Sequence, residues 1–455
     1  MNTPSTTGHA GRYLLIGIVA VLAVLFIGFL RLVALAPRAM DFAKGSSVAL
    51  AEYKTSDPTG VPAELKGAAL IERGEYLARA ADCEVCHTAE GGARFAGGRA
   101  FVLQFGTLYS TNITPDKDTG IGNYSDANFL DAVHKGIGLG DTKLYPAMPF
   151  ASYTYMTDAD AVAIKAYLFS LKPVHAPARP NTLSFPYNQR ALMTVWALLF
   201  NPDKRFEPRK ERDAQWNRGA YLVEAMEHCG ECHTPRNLLQ AMDQREKFAG
   251  TVQSGWRAYN ITADRASGVG AWSDDELAKY LASGYAHGRG VAAGPMGLAV
   301  DRSLSRLTPG DIAAIVAYVR SVPGIATPDL PLPKTDPAPA SHSQGLAADV
   351  DPRGKAVYAG ACAGCHDWSG VSPVIPAATL TGSRAVNDPS ATNVVQIILA
   401  GAHVKASIDT ADMPAFGDAY SDVEIASLAN YVTARFGAKG SAVTAQNIAT
   451  LRSQN

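Results

Sequence analysis

Along the chain, apolar and polar positions first give one long apolar segment and then the same helical design three times. Residues 13–30 are uncharged and mostly apolar, about the shortest run that spans a bilayer as a helix. Far downstream, three amphipathic helices are predicted, each announced by a cap signal: Thr157 with Asp160, Thr308 with Pro309 and Asp311, and Ser421 with Glu424. Each carries an aromatic residue, Tyr167, Tyr318 or Tyr431. Three short opening helices are predicted upstream of them, at Arg73-Gly74-Glu75-Tyr76-Leu77, Arg218-Gly219-Ala220-Tyr221-Leu222 and Arg353-Gly354-Lys355-Ala356-Val357-Tyr358. A glycine on the opening helix and an aromatic on the closing one would let the two cross closely. An apolar run at 185–200 predicts a short helix packed between domains, with a partner or membrane surface as the alternative. Residues 55–60 read as a polar tether, and the proline-rich stretch 328–339 as an extended, semi-rigid linker.

The cysteines give this repeat its chemistry. All six fall in three pentads, Cys83-Glu84-Val85-Cys86-His87, Cys229-Gly230-Glu231-Cys232-His233 and Cys362-Ala363-Gly364-Cys365-His366, which leaves none for a disulfide. Two thiols on one helical turn can add to the two vinyl groups of one haem, and the next imidazole then reaches the iron as proximal ligand. Zinc sites do not require a histidine directly after each second cysteine, and a thioredoxin-like redox site needs only one pair. Three covalently bound haem c groups are therefore expected, with His87, His233 and His366 as iron ligands.

The sixth ligand decides whether such an iron only passes electrons or also binds small molecules. A methionine flanked by proline or glycine precedes each closing helix: Met148 in Tyr145-Pro146-Ala147-Met148-Pro149, Met296 in Gly294-Pro295-Met296-Gly297, and Met413 in Asp412-Met413-Pro414. Proline and glycine there predict an extended loop across the distal face. Most methionines are core filler, but no methionine follows Met296 except Met413, and Met242 lies too near His233 to cross its haem. Met156 and Met193 compete with Met148. His134, His287 and His403 are runner-up ligands, read as solvated side chains. A thioether ligand raises the reduction potential, and three such haems make an electron conduit.

Composition fits a globular protein. With 455 residues, 47% hydrophobic and 18% charged residues and a formal net charge of −1, nothing favours nucleic-acid binding. The organisation read from these features is an N-terminal anchor or signal segment (1–36), haem units at 66–172, 210–325 and 346–438, a connection at 173–209, a linker at 326–345 and a C-terminal tail at 439–455. The fold class is mainly α, three tandem class I cytochrome c domains after a transmembrane helix. Ala34-Leu35-Ala36 resembles a signal cleavage site, but Pro37 disfavours the cut, so a retained anchor is expected. Arg12 before the segment and Arg31, Arg38 and Lys44 after it would by themselves orient it the other way. Covalent haem attachment normally takes place outside the cytoplasmic membrane, which puts the haem units in the periplasm. No other catalytic constellation competes. A free-standing electron carrier feeding a terminal oxidase, and a haem peroxidase with an open iron position, are the alternatives.

From about Gly67 to Arg452 the chain resembles the three-haem cytochrome c subunits of bacterial periplasmic membrane-bound dehydrogenases, those for alcohols, gluconate and aldehydes among them. The marks are Phe105-Gly106-Thr107-Leu108-Tyr109-Ser110-Thr111-Asn112-Ile113-Thr114-Pro115, Leu144-Tyr145-Pro146-Ala147-Met148-Pro149, Trp216-Asn217-Arg218-Gly219-Ala220-Tyr221-Leu222, Cys232-His233-Thr234-Pro235-Arg236-Asn237 and Gly294-Pro295-Met296. The resemblance implies the ligand roles of His87, Met148, His233, Met296, His366 and Met413. It also implies a separate catalytic subunit carrying pyrroloquinoline quinone, flavin or a molybdenum cofactor, with ubiquinone or another respiratory acceptor receiving the electrons. The run at 185–200 looks most like members paired with molybdenum hydroxylases. The long N-terminal segment departs from many members, which have an ordinary signal peptide.

Overall fold

The computed structural model describes residues 7–33, 59–339, 351–403 and 412–454. The 34–36 cleavage motif, most of the 55–60 tether and the end of the linker at 340–345 lie outside them. The N-terminal helix Thr7–Val33 includes a fully exposed stretch, Gly11–Phe29, with mean hydropathy 2.4, long and apolar enough to cross a membrane. A signal sequence would have the same character.

The rest is mainly helical and repeats. Opening helices at Leu70–Ala80, Ala214–Tyr221 and Pro352–Val357 lead into pentad helices at Cys83–His87, Gly230–His233 and Ala363–His366. The second and third join through a wider π-type turn, Leu222–Met226 and Tyr358–Cys362. Closing helices follow at Asp158–Ser170, Pro309–Arg320 and Asp422–Phe436. Their predicted caps form: Thr157, Thr308 and Ser421 accept from the backbone N–H of Asp160, Asp311 and Glu424.

The expected close crossing occurs three times. A Cβ on Gly74 would stand 1.9 Å from the Ala163 carbonyl oxygen, one on Gly219 1.9 Å from that of Ala314, and one on Gly354 2.1 Å from that of Ser427. Tyr167, Tyr318 and Tyr431 meet the same three glycines. No side chain larger than hydrogen fits there.

Short antiparallel hairpins, not anticipated from the sequence, fill the first two units: Ala100–Leu103 with Gly106–Tyr109, and Thr251–Gln253 with Trp256–Ala258. The first two units share one hydrophobic core, built around Leu77, Tyr221 and Tyr318, while the third packs its own around Tyr358, Tyr431 and Phe436.

Two expectations change. Residues 439–455, read as a tail, contain the helix Ala445–Arg452, which buries Ile448 in the third core and ties Arg452 to Asp422. The proline-rich linker is extended but not free: Leu330 and Ala338 are buried, and the Lys334 N–H donates to Asn387. The apolar run forms the helix Leu192–Phe200, and its Trp196 does bridge the first two units, edge-on to Phe150 and donating to the Leu239 carbonyl. Its other side is open, with Leu198 79% exposed.

Candidate functional site

Each pentad helix presents two cysteines and a histidine on a single turn. Burial pushes the Cys83 and Cys86 thiols up to about 12 and those of Cys232 and Cys362 to about 11, and raises Cys229 well above its ordinary value. Those five thiols are held neutral, and none of the six cysteines is in a disulfide. Among the described residues no three His, Cys, Asp or Glu side chains gather around a common point.

The three histidines share one arrangement that spacing could not reveal. Nδ1 of His87 lies 2.7 Å from the Thr111 carbonyl oxygen, Nδ1 of His233 2.6 Å from that of Tyr259, and Nδ1 of His366 2.5 Å from that of Ala378. A carbonyl only accepts, so each Nδ1 carries the proton, and burial favours the neutral ring by lowering its pKa. Neutral imidazole protonated at Nδ1 keeps the Nε2 lone pair for a metal, and the carbonyl fixes the ring's direction. With two adjacent thiols for thioether bonds, this donor set fits a covalently attached haem.

All three predicted methionines are half-buried: Met148 and Met296 pack, as Cys83 and Cys229 do, against the core shared by the first two units, and Met413 and Cys362 against that of the third. Met148 sits in the expected loop between Tyr145 and Pro149, its N–H donating to the Tyr145 carbonyl. Met413 is extended and exchanges backbone hydrogen bonds with Ala402. Met296 departs from the expected loop and lies in the first turn of the helix Gly294–Arg302. Proline at the start of a helix replaces an N–H that would have no partner there, so Pro295 begins this helix instead of breaking it.

The competitors are placed otherwise. Met156 is 2% exposed in the core, Met193 lies on the Leu192–Phe200 helix, and the Met242 sulfur rests against Gly230. His287 and His403 are exposed, as expected of solvated histidines. His134 is not: it is 1% exposed, with Nδ1 3.6 Å from Asp158 and Nε2 without a partner. Its helix turns it under the 201–205 segment, where Asn201 donates to its carbonyl.

The first two pentads are brought together by an exchange of side chains. Tyr76 of the first unit donates to Asp311 of the second at 2.6 Å, and Tyr221 of the second donates to Asp160 of the first at 2.5 Å. Arg218 closes the junction with two bonds to Asp311, at 2.8 and 2.7 Å. Glu84, inside the first pentad, pairs with Arg302 of the second unit, and Glu231, inside the second, accepts from Ser152 of the first. Directly before the pentads, Asp82 and His228 approach to 3.9 Å, and the His228 ring lies edge-on to Tyr153. In the sequence Tyr76, Tyr221 and Arg218 were visible only as helix markers and Asp160 and Asp311 only as cap residues, with nothing to pair them across two units.

A family model described as cytochrome c matches residues 71–172, and one described as cytochrome c oxidase, cbb3-type, subunit III matches residues 349–432. The chain is 39% identical to the fructose dehydrogenase cytochrome subunit of Gluconobacter japonicus, over 84% of this chain and 82% of that protein. It is 36% identical to the gluconate 2-dehydrogenase cytochrome c subunit of Pantoea cypripedii, over 84% and 90%. It is 40% identical to a nicotinate dehydrogenase subunit of Pseudomonas putida over 85% of this chain, which spans only 32% of that protein's length.

Proposed function

Because the chain belongs to the family of cytochrome c subunits of dehydrogenases, carrying covalently bound haem c and transferring electrons without itself being catalytic, we propose that it holds three haems as the electron outlet of a dehydrogenase. The observation that carries this is the threefold recurrence of one donor arrangement: a cysteine pair, a histidine held at Nδ1 by a backbone carbonyl, and a methionine at the edge of the same core. In this reading Cys83, Cys86, Cys229, Cys232, Cys362 and Cys365 form the thioether bonds. His87 and Met148, His233 and Met296, and His366 and Met413 are the axial pairs, in units at 66–172, 210–325 and 346–438. When bound, haem supplies a reversible one-electron iron couple whose potential the thioether ligand raises.

The protein's part is placement. The tyrosine–aspartate exchange holds the first two units together, with Tyr221 buried in the core they share. The partner in this reading is a dehydrogenase catalytic subunit, as the names of the relatives favour, and the family resemblance gives it pyrroloquinoline quinone, flavin or a molybdenum cofactor. Ubiquinone or another respiratory acceptor takes the electrons. The Gly11–Phe29 helix serves as membrane anchor, with the haem units in the periplasm.

Extraction in mild detergent followed by isolation through a C-terminal tag tests the partner. A large co-purifying chain with one of those cofactors is expected; a chain that stays alone at low salt and after crosslinking would instead be a free-standing carrier. Met413→Ala tests the ligand set. It should leave haem attachment intact while lowering the potential of one haem, and three unchanged potentials would remove Met413 from the set.

A further inference from the structure

Resting on that ligand assignment, we infer that the third unit grips the strand Trp256–Ala258 and through it positions both axial side chains of the second pentad, with Trp256 and Tyr259 as the positioning residues. The grip is extensive. The Arg257 N–H donates to Asn393 Oδ1 at 2.8 Å and Asn393 Nδ2 donates back to the Arg257 carbonyl at 2.9 Å, a reciprocal pairing like that between neighbouring strands. The Arg257 guanidinium reaches Asp388 of the third unit at 3.0 Å and Asp329 of the linker at 2.9 and 2.7 Å. The Asp388 side chain has no exposure to solvent, and its other oxygen accepts from the Tyr259 hydroxyl at 3.2 Å. Gln396 donates to the Gly255 carbonyl at 3.1 Å, fixing the turn before the strand.

Each end of the gripped strand reaches one ligand. At its far end the Tyr259 carbonyl holds Nδ1 of His233 at 2.6 Å. At its near end the Trp256 indole packs on Gly294, two residues before Met296, so closely that a Cβ there would stand 2.5 Å from the ring. Gly294 also has a φ of +53°, so the entry to the methionine helix is fixed by the indole above it and by a conformation that suits glycine. A shift of the strand therefore moves the hydrogen-bond acceptor on the proximal side and the support of the thioether on the distal side together. Such outer contacts set ligand basicity and orientation.

The first unit supplies an internal control. Its corresponding strand, Gly106–Tyr109, is held not by a haem-binding unit but by the connection: the Thr182 N–H donates to the Thr107 carbonyl at 3.0 Å, and the Tyr109 N–H donates to Asn181 at 3.0 Å. The third unit's grip is thus confined to the second pentad, and the docking of the third unit sets the potential of its neighbour.

The test is a potentiometric titration of the full-length, haem-loaded protein in detergent, followed by visible absorption. Met296→Ala first identifies the second haem's wave. Tyr259→Phe, which removes only the hydroxyl, and Asn393→Ala, which opens the reciprocal pairing, should each change that haem's reduction equilibrium about tenfold, ~59 mV for a one-electron couple, while the first haem's wave stays in place. The absorption band that reports thioether ligation of the ferric iron should weaken in Asn393→Ala. An unmoved second wave in both variants, or an equal shift of all three waves, overturns the grip. If Met296→Ala itself moves no wave, the ligand assignment fails instead, and the two failures are told apart.

Discussion

His134 shows what a single enclosed side chain does to this protein. Burial, aided by the nearby Arg205 guanidinium and opposed by Asp158, lowers its pKa to about 4. The unfolded chain binds the proton near pH 6.5, so the folded state binds it less readily, and the stability His134 contributes is fully present above that pH. It is lost as pH falls from about 6.5 toward 4, by roughly 1.4 kcal/mol per unit and about 3 kcal/mol in all. Thermal melting at about pH 7 and pH 4.5 should show a smaller acid loss in His134→Gln than in the parent. The sequence could not show this burial, because a lone histidine in a helix carries no mark of which way the helix faces. The cysteine pairs and the histidines that follow them were readable because thioether attachment of a haem would fix that spacing, and the three methionines because proline or glycine flanks each of them. Their carbonyl partners at Thr111, Tyr259 and Ala378 were not, since any residue has a carbonyl and only the fold brings one to a ring nitrogen.

The helix pairs follow the same logic. Opening and closing helices and their caps were legible, for capping and amphipathic spacing are local. The glycine-on-carbonyl crossing was legible as well, because Gly74, Gly219 and Gly354 recur opposite the same aromatic. The hairpins were missed because strands of three or four residues leave too little alternation to read. Met296 was placed in a loop because Pro295 reads equally as a break or as a helix start. Gly219→Ala should lower the melting temperature and the yield of haem-loaded protein, since its Cβ would stand 1.9 Å from a backbone oxygen and such overpacking costs about 1–3 kcal/mol. Gly310→Ala, on a closing helix where the added carbon meets nothing nearer than 3.9 Å, should be neutral or stabilising by about 0.5–1 kcal/mol.

Across the chain, three repeats in sequence become two bodies in space. The first two units share one core and trade buried tyrosine–aspartate bonds, while the third has its own core and meets them through Arg257, Asp388 and Asn393. Calorimetry should therefore resolve two unfolding transitions, one for residues 66–325 and one for the third unit, and Arg257→Gln should lower the second more than the first. The repeat was visible in the sequence, but the unequal pairing was not, because Tyr76 and Tyr221 look alike whether they bond within a unit or across two. A chain beginning after residue 36, exported by a cleavable signal, should leave the membrane fraction and keep its haem spectrum, which checks the role of the Gly11–Phe29 helix.

The tyrosine–aspartate exchange also orders the making of this protein. Asp160 belongs to the closing helix of the first unit, but its hydroxyl partner lies at Tyr221, and Tyr76 waits for Asp311. In a chain made from its N-terminus the first pentad precedes both Tyr221 and Asp311, so Tyr76 and Asp160 find their hydrogen-bond partners only once the second unit has been made.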